Sequence, residues 1–216
     1  MRPSAWQKSS LTETAERYNE ALDRETLAYL AGRAVDLDAA SGFLLGLVVD
    51  PDPQHVQYEG RLSIPHITPT GVVSMRFRCI EDHGDVKCSE LNHGKYEGLA
   101  GEETRLYNVM ALHAKTDTIA ICEGELDAVV STSSGMPAVG ITGVHNFKPY
   151  YYRLFEDYER VILIGDGDTA GRTMVATLAH NMANAVRRPM PEGEDVTSFV
   201  VANGADAFLS YLTDKD

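Results

Sequence analysis

Two segments of the chain run from an apolar strand straight into clustered acids. In "TIAICEGELD" (118–127) Glu123, Glu125 and Asp127 follow five strand-forming residues; in "RVILIGDGDTAGR" (160–172) Asp166 and Asp168 do the same. Apolar strands of this kind alternating with helical patterns from about residue 105 onward predict a parallel sheet covered by helices on both faces. In such sheets ligands bind outside the carboxyl ends of the strands. Two carboxylates about 4 Å apart repel by roughly 4 kcal/mol at an effective dielectric of about 20. Acids gathered at two strand ends therefore call for a cation, and carboxylate oxygens suit a hard divalent ion such as Mg²⁺ or Mn²⁺. Gly124, Gly165, Gly167 and Gly171 allow the sharp turns and close backbone approach that a ligand there requires. The plainer reading is that such an acid only caps the next helix, as Asp168 can; two motifs in one unit weigh against capping alone.

Other readings fall away on spacing. There is no G-x-x-x-x-G-K-[ST] phosphate loop and no dinucleotide fingerprint. Ala170 and Thr177 stand where a calcium loop of the EF-hand type needs oxygen-rich ligands. No apolar run approaches a membrane span, and "MRPSAWQKSS" has no secretory core, so a cytoplasmic protein is expected. The net charge of −13 argues against a generally basic nucleic-acid binder. Charge is uneven, however: residues 60–79 carry Arg61, Arg76 and Arg78 and no acid. Contact with a polyanion would be local or bridged by metal.

The first hundred residues read as α+β. "SLTE" predicts a helix opening at Ser10 with Glu13 as capping partner, and Asp23 a second over "RETLAYLAGR". A short helix near "DLDAASGF" precedes strands in "LLGLVV", "RLSIPHI" and "VVSMRFRCI", the last two joined by the turn "TPTG". Pro65 and Pro69 fit an edge strand and that turn. Residues 80–104 read as irregular loop. Beyond them come helix 105–114, strand "TIAIC", helix 125–134, strand "PAVGI" and a helix over "FKPYYYRLFEDY". Strand "RVILIG", helix 168–186, a weak strand "AVRRPM" and two short helices complete the pattern. The aromatics of "YYYRLF" read as the apolar side of a helix on the sheet rather than as base-stacking groups, and Cys122 as a core residue. Two subdomains are expected, 1–104 and 105–216.

Glu-Gly-x-x-Asp at one strand end, Asp-Gly-Asp-x-Ala-Gly-Arg at a later one, then "PEGEDVTSF", resembles a Toprim domain, the metal-binding unit of bacterial-type primases, type IA and II topoisomerases and some nucleases. "DGDTAGR" (166–172) and "PEGED" (191–195) are similar to the primase forms. Upstream, "LDRETLAYLAGRAV", "GRLSIPHITPTGVVSMRFRCI" and "GKYEGLAGEETRLYNV" resemble, in order, the helix, the arginine-bearing hairpin and the lead-in of a primase core, so the likeness spans roughly 18–212. It implies a Toprim fold, a Rossmann-like parallel sheet with helices on both faces, preceded by a smaller α+β subdomain. It further implies Glu123 as general base or metal organiser, Asp127 as its motif partner, Asp166 and Asp168 as the metal pair and Asp195 as an additional acid in a two-metal site. Arg61, Arg76, Arg78, Lys95 and Arg172 become template or nucleotide contacts. Where primases often carry a further acid, this chain has Thr197.

The activity implied is template-directed synthesis of short RNA primers on single-stranded DNA from ribonucleoside triphosphates. The rivals are a Toprim nuclease using the same acids and a non-catalytic DNA-binding Toprim module. The chain shows no C-x₂-C ribbon, helicase motif or helicase-docking extension. A small phage or plasmid enzyme is therefore expected, working in the host cytoplasm with a replicative helicase or a separate zinc-binding template-recognition protein. Finally, Cys79, His83, Cys88 and His93 fall within fifteen residues as C-x₃-H-x₄-C-x₄-H. They could complete a tetrahedral zinc site, although the spacing matches no common finger and an ordinary loop is the alternative.

Overall fold

The computed structural model describes residues 5–99 and 101–214. The expectation placed on the first four residues of "MRPSAWQKSS", and Ala100 within the lead-in stretch, lie outside them. The described residues form two compact units, one of residues 5–32, 36–99 and 101–103, the other of residues 33–35 and 104–214.

In the first unit, helices α1 (Ala5–Glu20), α2 (Arg24–Ala31) and α3 (Leu37–Gly42) precede a four-stranded antiparallel sheet. Its strands β1 (Gly46–Leu47), β2 (Leu62–Thr68), β3 (Gly71–Arg78) and β4 (Tyr96–Gly98) lie in chain order. Asp23 and Asp36 cap α2 and α3, accepting from Thr26 N and Ala39 N. Ser10 does not open a helix: α1 already runs through it, because "AWQKS" contains no glycine or proline to stop propagation upstream. The strand expected over "LLGLVV" shrinks to two residues, since Leu44 and Asp50 on either side take left-handed backbone. Pro65 lies past the end of β1, where β2 is an edge on that side, so its missing N–H breaks no ladder there. Tyr18, Tyr58, Val72, Met75 and Phe77 form the core, with the Tyr58 and Phe77 rings stacked at 4.0 Å. A side chain on Gly46 would run into the Tyr18 backbone, so the glycine sets how closely α1 approaches the sheet. The strand β4 was expected as loop; three residues are too few to show an alternation.

The second unit is a four-stranded parallel sheet in the order β6-β5-β7-β8, with β5 (Thr118–Cys122), β6 (Ala138–Gly140), β7 (Arg160–Ile164) and β8 (Ala185–Arg187). Helices α4 (Glu125–Ser133) and α5 (Thr169–Ala179) follow β5 and β7, and α6 (Val196–Asn203) and α7 (Ala205–Thr213) close the chain. Ile119, Ile121, Val161 and Leu163 alternate onto the face covered by Met174, Val175 and Leu178 of α5 and by Phe147 and Phe155. No helix among the described residues is long and apolar enough to cross a membrane.

Three expected helices differ. Over 105–114 the chain instead pairs Tyr107 with Gly140 at the sheet edge, and Asn108, in left-handed backbone, donates to Ala138 O at 2.7 Å; only a 3-10 helix, Val109–His113, remains. "PYYYRLF" forms a 3-10 helix rather than an α-helix, which brings Tyr152 and Phe155, three apart, onto one apolar surface. The long helix stops at Ala179, beyond which Asn184 donates to Phe155 O and Tyr158 O and turns the chain into β8.

Candidate metal centre and basic hairpin

The chain leaves β5 toward β6 on one side and places β7 on the other, so the sheet order reverses between β5 and β7. That is the switch point where α/β sheets bind ligands. Cys122 pairs with Ile164 at the carboxyl ends of these two strands. Register alone thus sets Glu123 beside the loop that carries Asp166, and the Asp166 N–H points to Glu123 Oε2 at 3.4 Å.

Close backbone contact shapes this corner. A methyl on Gly167 would overlap the Pro191 carbonyl oxygen, and one on Gly171 would overlap the Asp166 backbone. Gly167 donates to Glu194 O at 2.8 Å and accepts from Gly193 N at 3.3 Å, so "PEGED" is tied to "DGD" through main chain. This brings Asp195 to the same end of the sheet. The Asp127 carboxylate leans back over Gly124, whose added methyl would meet Oδ2 at 2.7 Å.

The capping reading holds for two of the acids. Asp168 Oδ1 accepts from Gly171 N at 2.8 Å and opens α5; Asp195 Oδ1 accepts from Ser198 N at 2.6 Å and opens α6. A carboxylate has two oxygens and about four lone-pair positions, so capping leaves room for a metal. Burial pushes the half-buried Glu123 carboxyl above its ordinary range; the Asp166 N–H opposes this and the charge of Asp168 adds to it. Arg172 reaches back from the first turn of α5 to Gly167 O at 3.1 Å. The donor set is oxygen only and accumulates negative charge, which fits Mg²⁺ or Mn²⁺. Asp166, Asp168 and Asp195 are the residues that would hold such an ion, with Glu123 beside them as base or metal organiser. They are less tightly drawn together than the cysteine–histidine group, whose ligand atoms form the one set of that closeness found among the described residues.

In the first unit, Arg76 and Arg78 share a face of β3, two residues apart. Both guanidinium groups lie over the Tyr96 ring of β4, at 5.5 and 4.7 Å from its centroid. Arg78 is only 4% exposed; its Nε donates to Tyr29 Oη at 2.6 Å and its Nη1 to Tyr96 Oη. Arg61 donates to Gly94 O at 3.0 Å and pairs with Glu97 at 3.3 Å, while Lys95 is exposed. Sequence reasoning picked out the cations and missed Tyr29 and Tyr96, which organise them. The signal available was the interleaving of tyrosine with basic residues in "GKYEG", hidden by reading that segment as loop.

Residues 120–200 match the Toprim-like family. The Gene 57 protein of Mycobacterium phage D29 is 36% identical over 160 residues, spanning 72% of this chain and 99% of that protein. It is a phage protein, in keeping with the phage origin expected here. DNA primase of Pseudomonas putida strain KT2440 is 32% identical over 116 residues, half of this chain and 17% of the primase. The solved structure of Aquifex aeolicus primase, zinc-binding and RNA polymerase domains, superposes with a TM-score of 0.77 at 20% identity, covering 97% of this chain and 61% of that one. The chain belongs to the Toprim-bearing family of the phage D29 Gene 57 protein, and its fold is that of a bacterial-type DNA primase catalytic core.

Proposed function

We propose that the chain is a nucleotidyltransferase that synthesises short RNA primers on a single-stranded DNA template. The observation that carries this reading is the convergence of Glu123, Asp166 and Asp168 at the switch point of a primase-like fold, in a chain whose acid-free segment 60–79 carries Arg61, Arg76 and Arg78. A divalent ion held by Asp166, Asp168 and Asp195 would neutralise the triphosphate and polarise the phosphate under attack. Glu123 takes the proton of the attacking 3′-hydroxyl as its oxygen bonds to the α-phosphorus and pyrophosphate leaves. Asp127 holds the Gly124 turn that presents Glu123. Arg172 would meet phosphate charge, and Arg61, Arg76 and Lys95 would supply the template contact, with the buried Arg78 held beneath them by Tyr29 and Tyr96. An acidic chain then grips a polyanion through metal and one basic surface. Because that surface is small, template recognition draws on a partner, a replicative helicase or a zinc-binding protein in the host cytoplasm.

The test incubates labelled ribonucleotides with single-stranded DNA and Mg²⁺ or Mn²⁺, beside Asp166→Ala and Asp168→Ala, with labelled DNA on the same gel. Metal-dependent oligoribonucleotides that disappear in both variants are expected. Cleaved DNA without ribonucleotide incorporation overturns primer synthesis in favour of hydrolysis by the same acids. DNA binding that survives both substitutions, without turnover, assigns the chain to a clamp.

A further inference from the structure

Between β3 and β4 the chain leaves the sheet at Cys79 and returns at Lys95, the Cys79 N–H donating to Lys95 O at 2.9 Å across the base. Over residues 81–95 every residue is exposed except three: His83, Cys88 and His93. The apolar residues of the loop, Val86 and Leu91, are each 45% exposed. A loop that ordered itself by hydrophobic burial would show the reverse, with Val86 and Leu91 inside. Here the side chains withdrawn from water are those that bind transition metals.

Their geometry is that of a coordination sphere. One ligand atom from each of Cys79, His83, Cys88 and His93 lies within 4.8 Å of all the others. Cys79 Sγ and His83 Nε2 are 3.3 Å apart. Zinc–sulfur and zinc–nitrogen bonds of about 2.3 and 2.0–2.1 Å at a tetrahedral angle put sulfur and nitrogen about 3.5 Å apart. With Nε2 turned to the sulfur, His83 Nδ1 faces Glu81 at 3.9 Å, the side from which carboxylates orient metal-bound histidines. Left-handed turns at Gly84 and Asn92, just after one histidine and just before the other, fold the loop back on itself, and His93 N bonds Cys88 O at 3.1 Å.

We propose that these four residues bind one zinc ion in a closed, structural site that fastens loop 79–95 to the end of β3. Four protein ligands leave no open position, so the ion does no chemistry. Two thiolates and two imidazoles select zinc over the hard ions suited to the carboxylates of the second unit. On the proposed function, the site would also fix Lys95 beside Arg78; zinc binding itself stands without that function and is measured without nucleotide.

The full chain, purified in zinc-supplemented medium and then freed of loose metal, is expected to carry one zinc per chain by mass spectrometry. Replacement by cobalt should give the visible bands of a tetrahedral ion and a thiolate charge-transfer band. Cys88→Ser and His93→Ala should lose both, while Cys122→Ala keeps them. Since a variant could misfold, alkylation of the wild-type chain gives a separate reading: Cys79 and Cys88 should be protected by zinc and exposed by a chelator. Less than a tenth of an equivalent of zinc, full stoichiometry in Cys88→Ser and His93→Ala, or a Cys79–Cys88 disulfide would each overturn the proposal.

Discussion

The two units gather ligand-type side chains by opposite means. In the second, regular strands place the acids: β5 and β7 end in register, and glycines let the loops after them touch main chain to main chain. In the first, a segment with little regular structure gathers two thiols and two imidazoles, and its own turns leave nothing apolar inside. A strand-end site is thus built before its ion arrives, whereas a loop site needs the ion as part of its core. Glycine has correspondingly different work in each. At Gly167 it permits contact with Pro191; at Gly84 it permits a positive φ of 57° in open space.

That contrast breaks most visibly under alanine. Gly167→Ala forces the "DGD" and "PEGED" loops apart and should cost about 3 kcal/mol, the upper range for overpacking. Gly84→Ala meets no neighbour and should cost about 1 kcal/mol, the penalty of left-handed backbone. Denaturant titration of both variants decides it: equal losses would mean that the second unit's loops are not held by close approach.

A smaller effect tests how the first unit holds its cations. Tyr96→Phe keeps the ring under Arg76 and Arg78 but removes the hydroxyl that accepts from Arg78. A hydrogen bond to a charged group contributes about 1.5 kcal/mol, so a loss near that size in thermal or denaturant unfolding is expected. No loss would show that ring contact alone holds Arg78.

The parts of the fold legible in the sequence were those fixed by local pattern. "TIAIC" and "RVILI" read as strands because four consecutive apolar residues ended in glycine and acid, and the two acidic motifs followed from the same observation. Asp23 sat where a cap belongs. What could not be read was decided by distant partners. The "PYYYRLF" segment has helical spacing, but its aromatics fit the sheet only in a tighter helix. Residues 105–108 became a sheet edge because Gly140 was there to receive Tyr107. Within the candidate sites, residue types were visible, but the tyrosines around Arg78 and the inverted burial of the cysteine–histidine loop exist only in three dimensions.

The double use of Asp168 gives a finer test. Asparagine caps helices about as well as aspartate, whereas alanine costs about 1 kcal/mol. Asp168→Asn should leave unfolding nearly unchanged and Asp168→Ala should lower stability by that amount, while metal-dependent activity is lost in both. An Asp168→Asn variant that keeps activity would reduce this acid to a cap and leave the ion to Asp166 and Asp195.

The smallest effect separates the units by pH. His55 is fully buried in the first unit, its Nδ1 3.1 Å from the Tyr18 hydroxyl and its ring 5.0 Å from Phe77. Burial pushes its imidazole below the ordinary value of about 6.5; Asp52 opposes the shift and Arg17 adds to it. The unfolded chain therefore takes up a proton near pH 6.5 that the folded chain refuses, so stability is full above that pH and declines as pH falls toward the folded value. Asp52 acts lower: burial disfavours its charge, but Thr14 and Arg17 outweigh this and hold its carboxyl below the usual range. Its contribution is present above about pH 3.9 and is lost on further acidification through its folded value. Between pH 7 and 5 His55 should thus add a falling slope in the first unit, where His66 is also buried, whereas Glu123 of the second unit, its carboxyl pushed up, acts with the opposite sign. Denaturant titrations at the two pH values, in a Cys88→Ser background so that proton-driven metal release adds nothing, should show a decline that His55→Gln removes. A decline that persists in His55→Gln would assign the acid sensitivity to another group and remove this difference between the units.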